Sequence, residues 1–516
     1  MPTPLPKNMQ NYIDLLEELR EIDLANQIGS LLGWDQEVIM PKNGASSRAE
    51  HLAWISKTVH EKICNPRIGE LITSLENEDL DEIQSANVRI SKRMHERATC
   101  LPTEFVEEFA RLRSKAHHTW AEAREKDDIS IFRDDLAKIL DMTRRKAEYF
   151  GYTDSPYDAL LDQYETGLTV TRLDPLFQGL RNSVSPLVRL ILESGITPSD
   201  DWVDGVDWPK ESQEMLSQKV SEAIGFDFNS GRRDSSIHPF CGGPNPQDVR
   251  WTTRYDESEP FGSLFGSMHE TGHGTYEQGR PKTLAYQPAG KACGLGVHES
   301  QSRLWENQIG RSLPFCEWVL PLWKDYFPGR LEDVTPEVLW RSVNKIQPSY
   351  IRTESDEATY NIHIMIRYEL EKMMIEGDVE VDEIPDMWDD YYQRYLGITP
   401  PNRKLGVLQD IHWCMGAIGY FPTYTLGNLY AAQLLDSAKE DIADHDEKIR
   451  SGNFAPLLAW MRGKIHDRGS ILEPADLIEE ATGRPPSPEP FVSYLSSKIS
   501  RPVSYTHLTL PTNPEV

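Results

Sequence analysis

The chain has 516 residues, of which 39% are hydrophobic and 26% charged, a composition that fits a globular protein with a large core. Its 82 acidic residues against 54 Lys and Arg leave a formal net charge of −28. That charge excludes a general nucleic-acid binder, which needs basic surface against phosphate, and argues against docking on an anionic membrane.

The N-terminal "MPTPLPKNMQNYIDLLEELREID" lacks the apolar centre of a signal peptide, and no run of 18 apolar residues offers a membrane span. Helical spacing of Tyr12, Leu15, Leu16, Leu19, Ile22, Ile28 and Leu31 predicts a buried helix face over 10–32. The same period recurs over 104–127 with Phe105, Phe109, Leu112, Ala116 and Trp120. It recurs again over 131–150 with Phe132, Leu136, Ile139, Leu140 and Ala147. "NPRIGE" and "GYTDSPYD" punctuate these helices. A strand is expected at 248–255, "DVRWTTRY", after the turn-rich "CGGPNPQ". The Pro-rich "TGRPPSPEP" at 482–490 reads as a connection before a last short helix. The stretch 502–516 has neither helical period nor much charge, so the expected division is one domain over 1–501 and an appended tail over 502–516. The six cysteines, Cys64, Cys100, Cys241, Cys293, Cys316 and Cys414, form no C-x-x-C and no disulfide frame. The expected location is the cytoplasm.

Residues 261–278, "FGSLFGSMHETGHGTYEQ", carry the chemistry. On a helix, His269 and His273 stand at i and i+4, so both imidazoles leave one face with the spacing of two zinc ligands. Glu270 follows His269 by about 100° of helical rotation, which brings it beside an ion and within reach of a water instead. Gly272 and Gly274 each cost the helix about 1 kcal/mol relative to Ala and point to close backbone approach. A second helical segment, "GLGVHESQSRLWENQIG" at 294–310, follows a connection long enough to reverse the chain. Its Glu299 completes His, His, Glu and leaves a fourth position for water, the arrangement of a catalytic zinc. His298 is the rival, but adjacent helical residues cannot both face one ion.

The motifs in order are His238-Pro239-Phe240, Asp248-x-Arg250-x-Thr252, H-E-x-x-H at 269–273, "HESQSR" at 298–303, "IRTESDE" at 351–357 and G-x-x-Q-D-x-H-W over Gly406, Gln409, Asp410, His412 and Trp413. "GYFPTYTLGN" follows at 419–428, and "LLGWDQEVIMPKNGASSRAEHLA" lies near the N-terminus. Together they resemble the carboxypeptidase Taq family of zinc metallocarboxypeptidases from about residue 10 to 500. The resemblance implies a mainly helical, neurolysin-like fold around a deep cleft, a small β element near 235–255 and a homodimer. It implies zinc, or cobalt in its place, and broad removal of single C-terminal residues from peptides. Ser355 takes the place of the family's usual alanine, Cys293 that of a small hydroxyl residue, and Thr166 in "YETGL" that of proline.

A carboxypeptidase must hold a terminal carboxylate, and the planar, permanently charged guanidinium suits it. Arg352, heading the arginine motif, is the first candidate, with a salt bridge to Asp356 as the plainer alternative. Arg250 is second, although D-x-R-x-T reads more as a tie between strand and helices. For the tetrahedral oxyanion the resemblance points to His412 and Tyr420, with Tyr424 as alternative to Tyr420 and as a substrate-binding residue beside His238. Asp356 and Asp410 are candidates to orient the imidazoles. Two other readings remain at this stage: a zinc oligoendopeptidase or dipeptidyl carboxypeptidase, and an inactive peptide-binding scaffold, against which the intact Glu270 argues.

Overall fold

The computed structural model describes residues 7–194 and 198–499; the expected tail at 502–516 lies outside them. The helices used below are α1 (Lys7–Val38), α2 (Thr103–Lys126) and α3 (Ser130–Phe150). After the strands come α4 (Phe261–Gly279), α5 (Leu295–Arg303), α6 (Glu357–Glu376), α7 (Pro422–Asp441) and α8 (Glu489–Ile499). The fold is mainly helical, as the periodicity predicted.

Apolar spacing decides which faces go inward. Phe105, Phe109 and Ala116 of α2 and Phe132, Leu136, Ile139, Leu140 and Ala147 of α3 are buried in one core that extends to Ile499. A smaller cluster joins Tyr12, Leu15, Leu19 and Ile22 of α1 to Ile68, Leu71, Ile72 and Leu75. One expectation fails here: Ile28 is 54% exposed. Beyond Ile22, α1 leaves that cluster and runs on to meet the strands, so the periodic face loses its apolar partner.

The sheet has three strands, β1 (Gly231–Ser235), β2 (Cys241–Asn245) and β3 (Asp248–Thr253), in the order β1-β3-β2. β1 runs parallel to β3 and β2 antiparallel. The strand expected at 248–255 therefore ends two residues early, and much of the segment read as turn is β2. Gly243 permits this with φ +144, since a Cβ there would lie 2.2 Å from the Asp248 carbonyl oxygen. Val249 and Trp251 of β3 are buried with Phe226 beside α4, and Gly274 makes room for that Phe226 ring. Gly272 brings α4 against α5 at backbone contact: a Cβ there would stand 2.5 Å from the Gln301 carbonyl oxygen and 2.7 Å from Ser302 Cα. The helical cost of that glycine is set against bringing the two segments named above within side-chain reach of each other.

Candidate active site

On α4, His269 Nε2 and His273 Nε2 come within 3.2 Å of each other. Glu299 Oε2 on α5 lies 3.7 Å from the first and 3.5 Å from the second. A tetrahedral ion with bonds of about 2.0–2.2 Å spans ligand edges of roughly 3.3–3.6 Å. Donor type and spacing therefore fit a divalent metal, and these three residues form the His-His-Glu metal site. Burial opposes a charge on either imidazole. At His269, Glu299 and Glu306 overcome it and hold the pKa at about 9, whereas burial and neighbouring His298 push His273 down to about 3. A metal bound here therefore displaces a proton from His269, since it needs the neutral imidazole.

His298, the rival ligand, stands behind His273. Its Nδ1 lies 2.7 Å from His273 Nδ1 and its Nε2 3.0 Å from Glu277, while its backbone carbonyl lies 3.1 Å from His273 Nδ1. Neither Asp356 nor Asp410 orients the imidazoles. Asp356 caps α6 through the amides of Ala358 and Thr359, at 2.9 and 3.0 Å, and Asp410 is held by arginines. The carboxylate on His269 is Glu306, with Oε2 2.8 Å from Nδ1. Glu306 sits in a π-helical turn, Leu304–Ile309, that continues α5. Arg303 joins both acids, donating from Nε to Glu299 at 2.6 Å and from Nη1 to Glu306 at 3.4 Å. Sequence reasoning overlooked Glu306, yet the signal was present: Glu299, Arg303 and Glu306 stand at i, i+4 and i+7, one helix face.

Glu270 is 5% exposed, and its Oε2 has no hydrogen-bond partner. Burial raises its pKa to about 7, with Glu299 and Glu306 adding to the rise and His269 and Arg303 opposing it. It lines a cleft of ≈ 970 Å³ together with His269, Glu299, Arg352, Tyr360 and Tyr424.

Arg352 is buried and makes an internal salt bridge, as the plainer alternative had it, but to Asp410 and not to Asp356. Nε and Nη2 donate to Asp410 Oδ1 at 3.2 and 3.0 Å, and Nη1 donates to the Tyr360 hydroxyl at 3.0 Å. Arg367 binds the other oxygen of the same carboxylate at 2.7 Å. Two guanidinium groups thus share one carboxylate, so the trio carries one surplus positive charge, and Arg352 is its member that lines the cleft. Arg250 is chelated by Asp248 at 2.7 and 2.8 Å and stacks 4.8 Å from the Trp34 ring, tying β3 to α1.

Tyr424 faces the cleft, with Tyr420 edge-on to it at 5.3 Å between ring centres. The His412 ring lies 5.5 Å from Tyr420 and 4.4 Å from Phe421, and burial pushes its pKa down to about 4. His238 is exposed in the loop between β1 and β2, outside this cluster, while its neighbour Pro239 reaches the cleft. Cys293 is buried, donates its thiol to the Leu472 carbonyl at 3.3 Å, and has a pKa raised well above the ordinary thiol value by burial. No helix among the described residues is long and apolar enough to cross a membrane.

Residues 14–499 match the family model described as carboxypeptidase Taq (M32) metallopeptidase. Over 502 residues the chain is 41% identical to thermostable carboxypeptidase 1 of Thermus thermophilus, covering 95% of this chain and 98% of the relative. It is 38% identical over 493 residues to carboxypeptidase 1 of Bacillus subtilis, covering 95% and 98%. The crystal structure of the M32 carboxypeptidase from Deinococcus radiodurans superposes with a TM-score of 0.92 at 34% identity, covering 95% and 98%.

Proposed function

The chain belongs to the carboxypeptidase Taq (M32) family of metallopeptidases, and from that premise we propose that it releases single C-terminal residues from peptides with broad side-chain tolerance. The observation that carries the reading is the triangle of His269, His273 and Glu299 with the unpartnered carboxylate oxygen of Glu270 in the same cleft. Zinc is the proposed ion, with cobalt able to replace it. When bound, the ion supplies Lewis acidity that acidifies water and polarises the scissile carbonyl. Glu270 takes a proton from the attacking water and returns it to the leaving amine.

Arg352 is the proposed anchor for the terminal carboxylate. Support comes from its place in the cleft and from the charge left over when Arg352 and Arg367 share Asp410. Tyr424, with Tyr420 and His412 beside it, is proposed to donate toward the oxyanion, and His238 to contact substrate from the β1–β2 loop. Further parts of the proposal are one domain over 1–501, assembly as a homodimer, and a cytoplasmic location, the last supported by six free cysteines.

The test compares free-acid and C-terminally amidated peptides on the unmodified enzyme and Arg352→Ala. A charge-assisted contact of about 1.5–3 kcal/mol corresponds to a fall of about 10–150-fold in kcat/KM for free acids. Amides, poor substrates already, should change much less. Equal losses on both would assign Arg352 to the scaffold and move the search to another cation.

A further inference from the structure

The third metal ligand stands on a short helix, and a short helix is only as well placed as its ends. α5 begins at Leu295, four residues before Glu299. Its first amides have no partner inside the helix. Two consecutive residues of the "YETGL" segment take them. The Tyr164 carbonyl accepts from Leu295 N at 3.2 Å, and Glu165 Oε2 accepts from Gly296 N at 2.8 Å. Glu165 is 1% exposed, its Oε1 has no hydrogen-bond partner, and the Tyr430 ring of α7 stands beside it against Gly296.

The surroundings of that carboxyl are shaped to it. A Cβ on Gly294 would lie 2.5 Å from Glu165 Oε2, and one on Gly296 would lie 2.8 Å from Oε1. Both positions are glycine where a side chain would displace the acid. Gly294 also takes φ +67, a conformation that favours glycine. At the other end of the ligand, a Cβ on Gly427 of α7 would meet Glu299 Cγ at 2.4 Å, so the stem of Glu299 lies directly on the α7 backbone.

We propose that Glu165 is a positioning residue for the metal site: by clasping the N-terminus of α5 it sets the height of Glu299 against Gly427 and so the reach of Oε2 toward the two imidazoles. Gly296 and Glu299 are three residues apart, about 4.5 Å along the helix axis, so less than one helical turn separates clasp and ligand. Metal–ligand distances tolerate only about ±0.2 Å, so a small slide of α5 is enough to weaken binding. Burial raises the Glu165 pKa to about 8, which makes a neutral glutamine a close substitute for it near pH 7. This inference rests on the reading of His269, His273 and Glu299 as the metal site.

The experiment titrates metal-free protein with Co²⁺ and follows the visible absorption of the bound ion. Far-UV circular dichroism and melting of the metal-free form check each fold. Glu165→Gln should bind within about threefold of the unmodified protein, while Glu165→Asp and Glu165→Ala should bind about 10–100-fold more weakly, the range found when a group supporting a metal ligand is removed. A lowered melting temperature with unchanged Co²⁺ affinity and spectrum would mean that Glu165 only stabilises the fold, and would overturn the proposal. Should Glu165→Ala fail to fold, Glu165→Asp, one methylene shorter, decides by the same criterion. His269→Ala separates the two levels: if it binds Co²⁺ like the unmodified protein, the metal site itself has been misread; if it loses Co²⁺ while Glu165→Asp does not, only the clasp is wrong.

Discussion

Replacing Glu306 by Ala removes the carboxylate that holds His269 by Nδ1 at 2.8 Å. Three consequences set the magnitude. The first is loss of a charge-assisted hydrogen bond, worth about 1.5–3 kcal/mol. The second is that the imidazole, with 20% of its side chain exposed, is left without the group that fixes its ring orientation. The third is electrostatic: Arg303, which now divides itself between Glu299 Oε1 at 2.6 Å and Glu306 at 3.4 Å, keeps only Glu299 and draws charge from the carboxylate whose Oε2 faces the two imidazoles. The hydrogen bond alone corresponds to a loss of about 10–150-fold in metal affinity, at 1.4 kcal/mol per decade. Glu306→Gln keeps an acceptor oxygen without the charge and should lose less than Glu306→Ala. The assay is competition for zinc against a chelator of known affinity, with far-UV circular dichroism as the check on folding. A folded Glu306→Ala protein that holds zinc within twofold of the unmodified protein would refute the reasoning, because it would show His269 is oriented by its helix alone.

Glu270→Gln should retain zinc, measured by the same competition, while kcat falls by about 10²–10⁴-fold; loss of the metal would mean that Glu270 is a ligand. Gly272→Ala places a methyl 2.5 Å from the Gln301 carbonyl oxygen, so α4 and α5 must separate. It should cost about 1–3 kcal/mol by chemical denaturation and weaken zinc binding, whereas a neutral result would show slack at the crossing. Lys146 lies 5.3 Å from the Phe150 ring centre, and burial, with Arg113 and Arg97 nearby, pushes its pKa down to about 8. Between about pH 8 and 10.5 the unfolded chain therefore binds more protons than the folded one, and this lysine's destabilisation, full below pH 8, fades as pH rises. Lys146→Met should stabilise by about 1–3 kcal/mol at pH 7 and less at pH 10, and an equal gain at both would show that packing and not charge is responsible.

His269, Glu270 and His273 were legible in the sequence because i and i+4 on a helix share a face whatever the rest of the chain does. Glu299 was read from the second helical segment that follows the reversing connection, and the helical period carried from it three residues past Arg303 reaches Glu306. Apolar spacing likewise marked the inner faces of α2 and α3. Where a contact joins distant segments, no local period exists to read. Arg352 finds Asp410, 58 residues along, and not the nearby Asp356, because Asp356 is already committed to the amides at the start of α6. The segments "GRRDS" and "CGGPN" have little strand propensity of their own; they become β1 and β2 because β3 offers them hydrogen-bonding edges. Glu165 gave no signal either, since a buried acid becomes a clasp only when folding brings Gly294, Gly296 and Tyr430 around it. Local helix geometry placed the ligands on their faces, and the crossing of α4, α5 and α7 at Gly272 and Gly427 brought those faces to one point.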